Sequence, residues 1–194
     1  MKKLSARCGF TLPELMTTIA IISILIAIGT PVIQHTLPTI RLRSSAHNIY
    51  STLMLAKAEA MRLGSTVAVR FDNVPNATPP NIIRAFVDDG AGGGIAGDGT
   101  INGGERLLTT SFLPDRIIYD QITFINSALI YTPRGIPVRP GGGGGALGAG
   151  RVTLCIEARA GGCMGNANGP RYRRTISVST AGRVQMAEVE NRNF

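Results

Sequence analysis

The sequence predicts an α+β protein in which one long N-terminal helix precedes an antiparallel sheet. Up to Leu63, apolar residues either form a continuous run or recur at the spacing of one helix face. From Ser65 onward, short segments of alternating polar and apolar residues are separated by Pro, Gly, Asn and Asp. Because the strands follow the helix with no further helices between them, the pattern favours an antiparallel sheet over a doubly wound one.

The N-terminal third contains an apolar segment long enough to cross a membrane. No Lys, Arg, Asp or Glu occurs from Leu15 to Ile40, and about 20 apolar residues in a helix span the hydrocarbon core. Lys2, Lys3 and Arg7 precede this segment, which favours a cytoplasmic N-terminus. We therefore expect residues 10–33 to cross the lipid bilayer once and to leave the rest of the chain on the opposite side.

The start of this segment carries a processing motif. Gly9 and Phe10 follow the basic leader, and Leu12 and Glu14 come two and four residues after Phe10. Pro13 suits a helix that begins at Phe10, because proline is tolerated in the first turn, where its missing N–H has no partner. The pattern closely resembles the class III signal of type IV prepilins and pseudopilins. The resemblance implies that a prepilin peptidase cleaves between Gly9 and Phe10, removing residues 1–9, and that Phe10 is then N-methylated. It also implies a bacterial inner-membrane protein with a periplasmic C-terminal domain.

Glu14 is a carboxylate inside the apolar segment. A charged side chain costs about 2.5–3.5 kcal/mol at the centre of a bilayer on insertion scales, and less near its face. One interpretation is a carboxylate that reaches the membrane face and has no further role. The other is that Glu14 binds a cation, which the resemblance identifies as the N-terminal ammonium group of Phe10 in a neighbouring subunit. The resemblance further implies that the partners are other pilins or pseudopilins and an inner-membrane assembly platform.

Residues 34–64 are predicted to form an amphipathic helix that packs on the sheet. Pro31 and Pro38 each remove a helix hydrogen bond and favour a kink, and Gly64 suits a C-terminal cap. Between Thr39 and Leu63 the apolar positions alternate in steps of four and three. They are Leu42, Ala46, Ile49, Leu53, Ala56, Ala60 and Leu63. A coiled-coil seam would show the same spacing, but three heptads are short for one.

Residues 65–194 are predicted to form the β domain. The candidate strands are Val67–Phe71, Ile82–Val87, Arg106–Phe112, Arg116–Tyr119, Gln121–Ile125, Leu129–Tyr131, Val152–Glu157, Tyr172–Ser179 and Arg183–Met186. The stretch Leu55–Ala60 resembles the corresponding helix end in the FimT/GspH branch of pseudopilins. That resemblance extends over essentially the whole chain and implies the same α+β domain.

Two cysteines remain if the leader, which contains Cys8, is removed. Cys155 and Cys163 lie eight residues apart and flank two glycines that permit a chain reversal. A pair of cysteines outside the cytoplasm suggests a disulfide, and two buried free thiols are the alternative.

The C-terminal third is strongly basic. The chain has 20 Lys and Arg against 12 Asp and Glu, and loss of the leader lowers the net charge from +8 to +5. Residues 134–194 contain nine Arg and three acids, and Arg171, Arg173, Arg174 and Arg183 surround the last predicted hairpin. One interpretation is a solvated basic edge that deters strand-to-strand aggregation. The other is a DNA-backbone site, since FimT-type minor pilins include DNA receptors with a C-terminal Gly-Arg-x-Arg motif. Here Gly182, Arg183 and Val184 match that motif, but Gln185 stands where it has its second arginine.

The sequence does not predict catalysis, a cofactor or a metal site. Both histidines, His35 and His47, fall in the helical region, away from the β domain. The acidic, glycine-rich segment Asp88–Glu105 faintly echoes a calcium loop, but it lacks the bidentate glutamate at the twelfth position. We interpret it and the segment Gly141–Gly150 as loops. The sequence therefore predicts a minor pilin or pseudopilin, a structural subunit of a type IV pilus or of a type II secretion pseudopilus.

Overall fold

The computed structural model describes residues 11–73, 81–141, 146–158, 162–163 and 172–188, apart from the side chains of 29–35, 73 and 188. The chain divides into two compact units, Met1–Leu37 and Pro38–Phe194. The leader, Gly9, Phe10 and Arg171 lie outside the described residues.

A single helix, α1, extends from Leu12 to Leu63. It continues through Pro31 and Pro38, so the prediction of one long N-terminal helix is confirmed. A proline removes only one hydrogen bond, and the turns on either side retain theirs. Gly64 ends the helix with a positive φ of 65°, and its N–H donates to Ala60 O at 3.1 Å, as expected of a C-terminal cap. Among the described residues, no helix combines the length and the apolar character that crossing a membrane requires.

The predicted apolar stripe of α1 is the face that packs on the sheets. Its positions Leu42, Ala46, Ile49, Leu53, Ala56 and Ala60 are fully buried in the main core of the second unit. Asn48, beside this stripe, donates to the Ser111 hydroxyl and ties the helix to the third strand. The prediction that the stripe faces the sheet is therefore confirmed.

In the part of the chain that the structure describes, nine strands form two antiparallel sheets. They are β1 Val67–Asn73, β2 Asn81–Val87, β3 Leu107–Phe112, β4 Ile117–Ile122, β5 Ala128–Tyr131, β6 Pro137–Val138, β7 Gly150–Ile156, β8 Arg173–Val178 and β9 Val184–Glu188. Sheet A has the order β3-β2-β1-β5-β6, and sheet B has the order β4-β7-β8-β9. The predicted α+β class, with an antiparallel β domain after the helix, is confirmed.

The core lies between α1 and the inner faces of both sheets. Phe71 of β1 stacks on Phe124 at a centroid distance of 5.6 Å, and it meets Tyr119 of β4 edge-on at 6.1 Å. These ring contacts join sheet A to sheet B, and each such pair adds about 0.5–1.5 kcal/mol beyond the area it buries.

Two predicted strands, Arg116–Tyr119 and Gln121–Ile125, are one strand in the structure. Strand β4 pairs with β7 throughout, and the register shifts between Tyr119 and Gln121. Asp120 is therefore the extra residue of a β-bulge, which reads in the sequence as a break in the alternation. The two-residue strand β6 was not predicted, because it is too short to show a period.

Candidate functional site

The N-terminal site is built on the first turn of α1. Thr11 precedes the helix, and its carbonyl accepts the first helical hydrogen bond from Leu15 N at 3.2 Å. The Thr11 hydroxyl points to Glu14 Oε2 at 3.5 Å. Thr-x-x-Glu is the sequence of a capping box, in which the side chains of the threonine and the glutamate accept hydrogen bonds from backbone N–H groups at the start of the helix.

The Glu14 carboxylate is exposed in this chain, and so are the apolar side chains around it, Leu12, Leu15 and Met16. A negative charge in the first turn is favoured by the helix dipole. Its contact with Thr11 is at the limit of hydrogen-bond length, which leaves acceptor capacity for a cation from outside the chain.

The predicted disulfide is present. Cys155 of β7 is bonded to Cys163, with their Cα atoms 5.5 Å apart. Ala158 N donates to Gly162 O at 2.8 Å, and Glu157 bridges to Cys163, so Gly162 and Cys163 lie alongside the residues that follow β7. The cross-link therefore closes a local reversal of the chain, in agreement with the prediction from the two glycines.

Asp120, the bulge residue of β4, lies beside this disulfide. Its Oδ1 is 3.1 Å from Cys163 Sγ, and its Oδ2 is 3.3 Å from Arg173 Nε. Asp120, Cys155 and Cys163 are close enough to hold a metal ion, but the disulfide consumes both thiolates that such a site would need. The acid acts instead as a counter-charge for Arg173.

The described C-terminal arginines do not converge on one patch. In the β7–β8 register Arg174 is paired with the buried Leu154, whereas Arg173 is paired with Cys155 and lies on the outer face of sheet B. Arg183 follows the other end of β8, and a six-residue strand rising about 3.3 Å per residue separates its ends by roughly 17 Å. Strand β8 lies between β7 and β9, so the interpretation of these arginines as a basic sheet edge is wrong for Arg173 and Arg174.

Gly182, the matched glycine of the arginine motif, is a packing residue. It has a φ of 74°, and Lys57 Nζ of α1 donates to its carbonyl at 3.0 Å. A Cβ at this position would stand 2.8 Å from Gly135 O. The final turn therefore docks closely on α1 and on the segment before β6.

The acidic segment Asp88–Glu105 is a loop, as the sequence predicts, but two of its residues, Asp88 and Gly99, are buried. Asp88 is fully buried, and its two carboxylate oxygens accept the N–H groups of Gly97 at 2.8 Å and Gly99 at 2.9 Å. Glu105 Oε2 accepts Asn102 N at 2.8 Å. These carboxylates accept hydrogen bonds from backbone N–H groups of their own loop. Acidic residues that resemble part of a calcium loop thus stabilise the loop itself.

The loop lies against the outer face of sheet A. A Cβ on Gly99 would be 2.8 Å from the Ala128 Cβ of β5, and the Gly99 carbonyl accepts Arg70 Nη1 at 3.1 Å. Asp72 bridges Arg70 and Arg84, which stand directly opposite each other on β1 and β2. The ion pairs with Asp72 thus relieve a repulsion between two arginines, and the hydrogen bond from Arg70 to Gly99 O attaches the loop to sheet A.

The chain matches two family models. Residues 45–182, which include the buried stripe of α1 except Leu42 and all described strands except β9, match the model of type II transport protein GspH. The chain belongs to the GspH family. Residues 4–30 match the prokaryotic N-terminal methylation motif. Membership of this family of pilins and pseudopilins, with that motif, implies association with other pilins and processing by a prepilin peptidase.

Two solved structures are similar. The minor pseudopilin EpsH of the Vibrio cholerae type 2 secretion system has 12% sequence identity and a TM-score of 0.49, over 76% of this chain and 97% of that chain. The type IV minor pilin FimU of Pseudomonas aeruginosa has 18% identity and a TM-score of 0.48, over 75% of this chain and 87% of that chain. A comparison with curated protein sequences gives no significant match.

Three residues of these sites were missed from the sequence. Thr11 carried a signal, because Thr-x-x-Glu before an apolar run is the pattern of a capping box. The roles of Asp88 and Asp120 had no such pattern, because they are defined by contacts with residues distant in sequence: Asp88 accepts the N–H of Gly99, and Asp120 faces Arg173.

Proposed function

We propose that this GspH-family chain is a minor pilin or pseudopilin that assembles into a type IV pilus or a type II secretion pseudopilus, near the tip or as a primer of assembly. Residues 10–33 anchor it in the bacterial inner membrane with the N-terminus in the cytoplasm. Residues 65–194 form its periplasmic domain. It acts as a structural subunit and not as an enzyme.

The observation that carries the proposal is the exposed carboxylate of Glu14 at the start of an exposed apolar helix. Cleavage after Gly9 creates an ammonium group on Phe10, four residues from Glu14 in the same chain. A surface of apolar side chains from Leu12 to Ile28 requires cover by lipid or by neighbouring helices. In either surrounding a lone carboxylate is costly, and pairing with the ammonium group of a neighbour removes that cost.

The test measures the chain in filaments sheared from cells and quantified by mass spectrometry. We expect Glu14→Gln to reach the membrane and to be cleaved as the wild type is, but to fall by about tenfold or more in filaments, since breaking a buried pair costs several kcal/mol. Glu59→Gln is the matched control, because Glu59 pairs with Arg62 on the surface of the same helix. Equal amounts of the Glu14→Gln variant and the wild type in filaments would contradict the pairing.

A second proposed function is DNA binding, and one observation favours it. Arg151 and Arg173 lie on the same outer face of sheet B, together with the half-buried Thr175 and Ser177. Guanidinium groups and hydroxyl groups are the usual donors to DNA phosphates. Asp120 neutralises part of this face, which makes any binding weak.

The DNA proposal predicts salt-dependent binding. We expect the full-length protein in nanodiscs of uncharged lipid to bind duplex DNA, with log affinity falling by about 0.9 per log unit of salt for each phosphate neutralised. Arg151→Gln together with Arg173→Gln should flatten this slope, and Asp120→Asn should strengthen the binding. If the protein does not bind DNA even at low salt, the DNA proposal is contradicted and only the assembly role remains.

A further inference from the structure

The two sulfur atoms of the Cys155–Cys163 disulfide differ in their access to other molecules. Cys155 is fully buried in β7, whereas Cys163 is half-buried. A thiolate breaks a disulfide by attacking one of its sulfur atoms, and the other sulfur leaves. An external thiol therefore reaches this bond at Cys163 Sγ, and Cys155 Sγ is the leaving group.

A carboxylate lies against the accessible sulfur. Asp120 Oδ1 is 3.1 Å from Cys163 Sγ, and because a disulfide sulfur has no hydrogen to donate, the two atoms are in contact without a hydrogen bond. Asp120 is the extra residue of the β4 bulge, and it is exposed. A thiolate that attacks Cys163 Sγ brings a second negative charge close to this carboxylate. Two like charges about 4 Å apart in water repel each other enough to slow such an attack about fivefold.

The other charged groups near the disulfide balance one another. Arg173 Nε is 3.3 Å from Asp120 Oδ2, the oxygen that does not contact the sulfur. Glu157 is paired with Cys163 in a β-bridge, and Arg116 Nη2 donates to Glu157 O at 3.4 Å. Within the described part of the chain, Asp120 is the charged side chain that contacts the accessible sulfur. It therefore has the largest electrostatic effect on an attacking thiolate.

We propose that Cys163 is the site at which external thiols exchange with this disulfide, and that Asp120 makes the exchange selective against anionic thiols. A thiolate RS⁻ forms a bond to Cys163 Sγ, the bond to Cys155 breaks, and Cys155 leaves as a thiolate that takes a proton from water. A second RS⁻ attacks the sulfur of R in this mixed disulfide, which releases RSSR and the Cys163 thiolate. The favoured reactant is a thiol with a positive charge near its sulfur. The inference does not depend on the proposed assembly function.

The first test identifies the sulfur that is attacked. The full-length protein, purified in detergent, is treated briefly with cysteamine and quenched with N-ethylmaleimide. Trypsin then separates the two cysteines, because Arg159 lies between them. We expect mass spectrometry to find cysteamine on the peptide of Cys163 and maleimide on the peptide of Cys155. Cysteamine on the peptide of Cys155 would overturn the proposal.

The second test measures the rate of reduction with three thiols of different charge. The thiolates of mercaptoacetate, 2-mercaptoethanol and cysteamine carry two negative charges, one negative charge and no net charge. We expect Asp120→Asn to speed reduction by 2-mercaptoethanol about fivefold, with a larger effect for mercaptoacetate and a smaller one for cysteamine. The ratio of variant to wild type removes the intrinsic reactivity of each thiol. Asp115→Asn is the matched control, because it removes an exposed carboxylate that precedes β4.

A variant of opposite sign separates the effect of charge from a loosened fold. Arg173→Gln removes the cation beside Asp120, so it should slow reduction by mercaptoacetate and have less effect on reduction by cysteamine. A loosened fold would instead speed reduction by all three thiols in either variant. The proposal is overturned if Asp120→Asn changes the three rates by the same factor, if it acts no more strongly than Asp115→Asn, or if Arg173→Gln fails to slow reduction by mercaptoacetate.

Discussion

At the scale of single residues, the same side chain serves the fold and the proposed assembly. Glu14 lies three residues after Thr11, where a carboxylate stabilises the start of a helix, and it remains exposed to a cation from another chain. Cys163 is similar, because it closes a local loop and also lies against the acid that faces Arg173. Substitutions at these residues therefore need a readout that separates stability from function.

The disulfide gives a residue-scale prediction of stability. Cys163→Ser should lower the free energy of unfolding by roughly 2–3 kcal/mol, because the bond closes a short loop and restricts the unfolded chain. Thermal unfolding of the oxidised protein measures the change. Cys8→Ser is the control, because Cys8 belongs to the predicted leader. Equal melting temperatures for Cys163→Ser and the wild type would show that the bond adds nothing to stability.

At the scale of elements, regular patterns were predictable and local exceptions were not. The helical stripe of α1 and the alternation in β1, β2 and β8 indicated their elements, because a buried face imposes its period on the sequence. The bulge at Asp120 broke that period and split one strand into two predictions. The composition of Asp88–Glu105 indicated a loop, but it did not indicate that Asp88 is buried, because that depends on N–H groups of Gly97 and Gly99 that its carboxylate accepts.

The buried carboxyl group of Asp88 predicts that the stability of the fold depends on pH. Burial raises the pKa of Asp88, with Glu105 and Asp98 adding to the effect, while the N–H groups of Gly99 and Gly97 oppose it. A raised pKa in the folded state means that the folded chain holds the proton more tightly than the unfolded chain. This group therefore favours folding at acid pH, and its contribution is lost as the pH rises through the folded pKa.

Asp88→Asn should remove that contribution and free one of the two N–H groups. Across the pH range just above 3.8, the ordinary pKa of Asp, we expect the free energy of unfolding to change less in this variant than in the wild type. We also expect faster hydrogen exchange at Gly97 or Gly99. Asp89→Asn is the control, because Asp89 is exposed and bonds only locally to Ala91 N. If Asp88→Asn changes neither the pH dependence of unfolding nor the hydrogen exchange of Gly97 and Gly99, Asp88 does not hold the loop through these N–H groups.

The docking of the final turn predicts unequal costs for two glycines. Gly64 and Gly182 both have positive φ, but a Cβ at Gly64 meets nothing within 4 Å, whereas at Gly182 it meets Gly135 O. Gly64→Ala should cost about 1 kcal/mol of unfolding free energy from backbone strain alone. Gly182→Ala should cost about 2–3 kcal/mol, because the turn must also move. Denaturant unfolding that gives equal costs would show that the turn is not closely docked.

At the scale of the whole molecule, the two units differ in how much of their apolar surface the chain itself buries. The unit Pro38–Phe194 buries its own core between α1 and two sheets, while the described side chains of residues 11–28 are exposed in this chain. An apolar surface of that kind is stable in lipid or among other helices, which are the two surroundings that an assembling pilin subunit passes through. The proposed function thus accounts for a surface that folding of the single chain leaves uncovered.

The most direct test of the account is the mass of the N-terminal peptide. The chain is isolated from the membranes of cells with an active prepilin peptidase, digested and analysed by mass spectrometry. We predict a first residue of Phe10 carrying one methyl group, with Gly9→Val, which adds a branched side chain at the cleavage site, as the uncleaved control. Recovery of the wild-type chain with only Met1 at its start would contradict processing, and with it the ammonium group that Glu14 is proposed to bind.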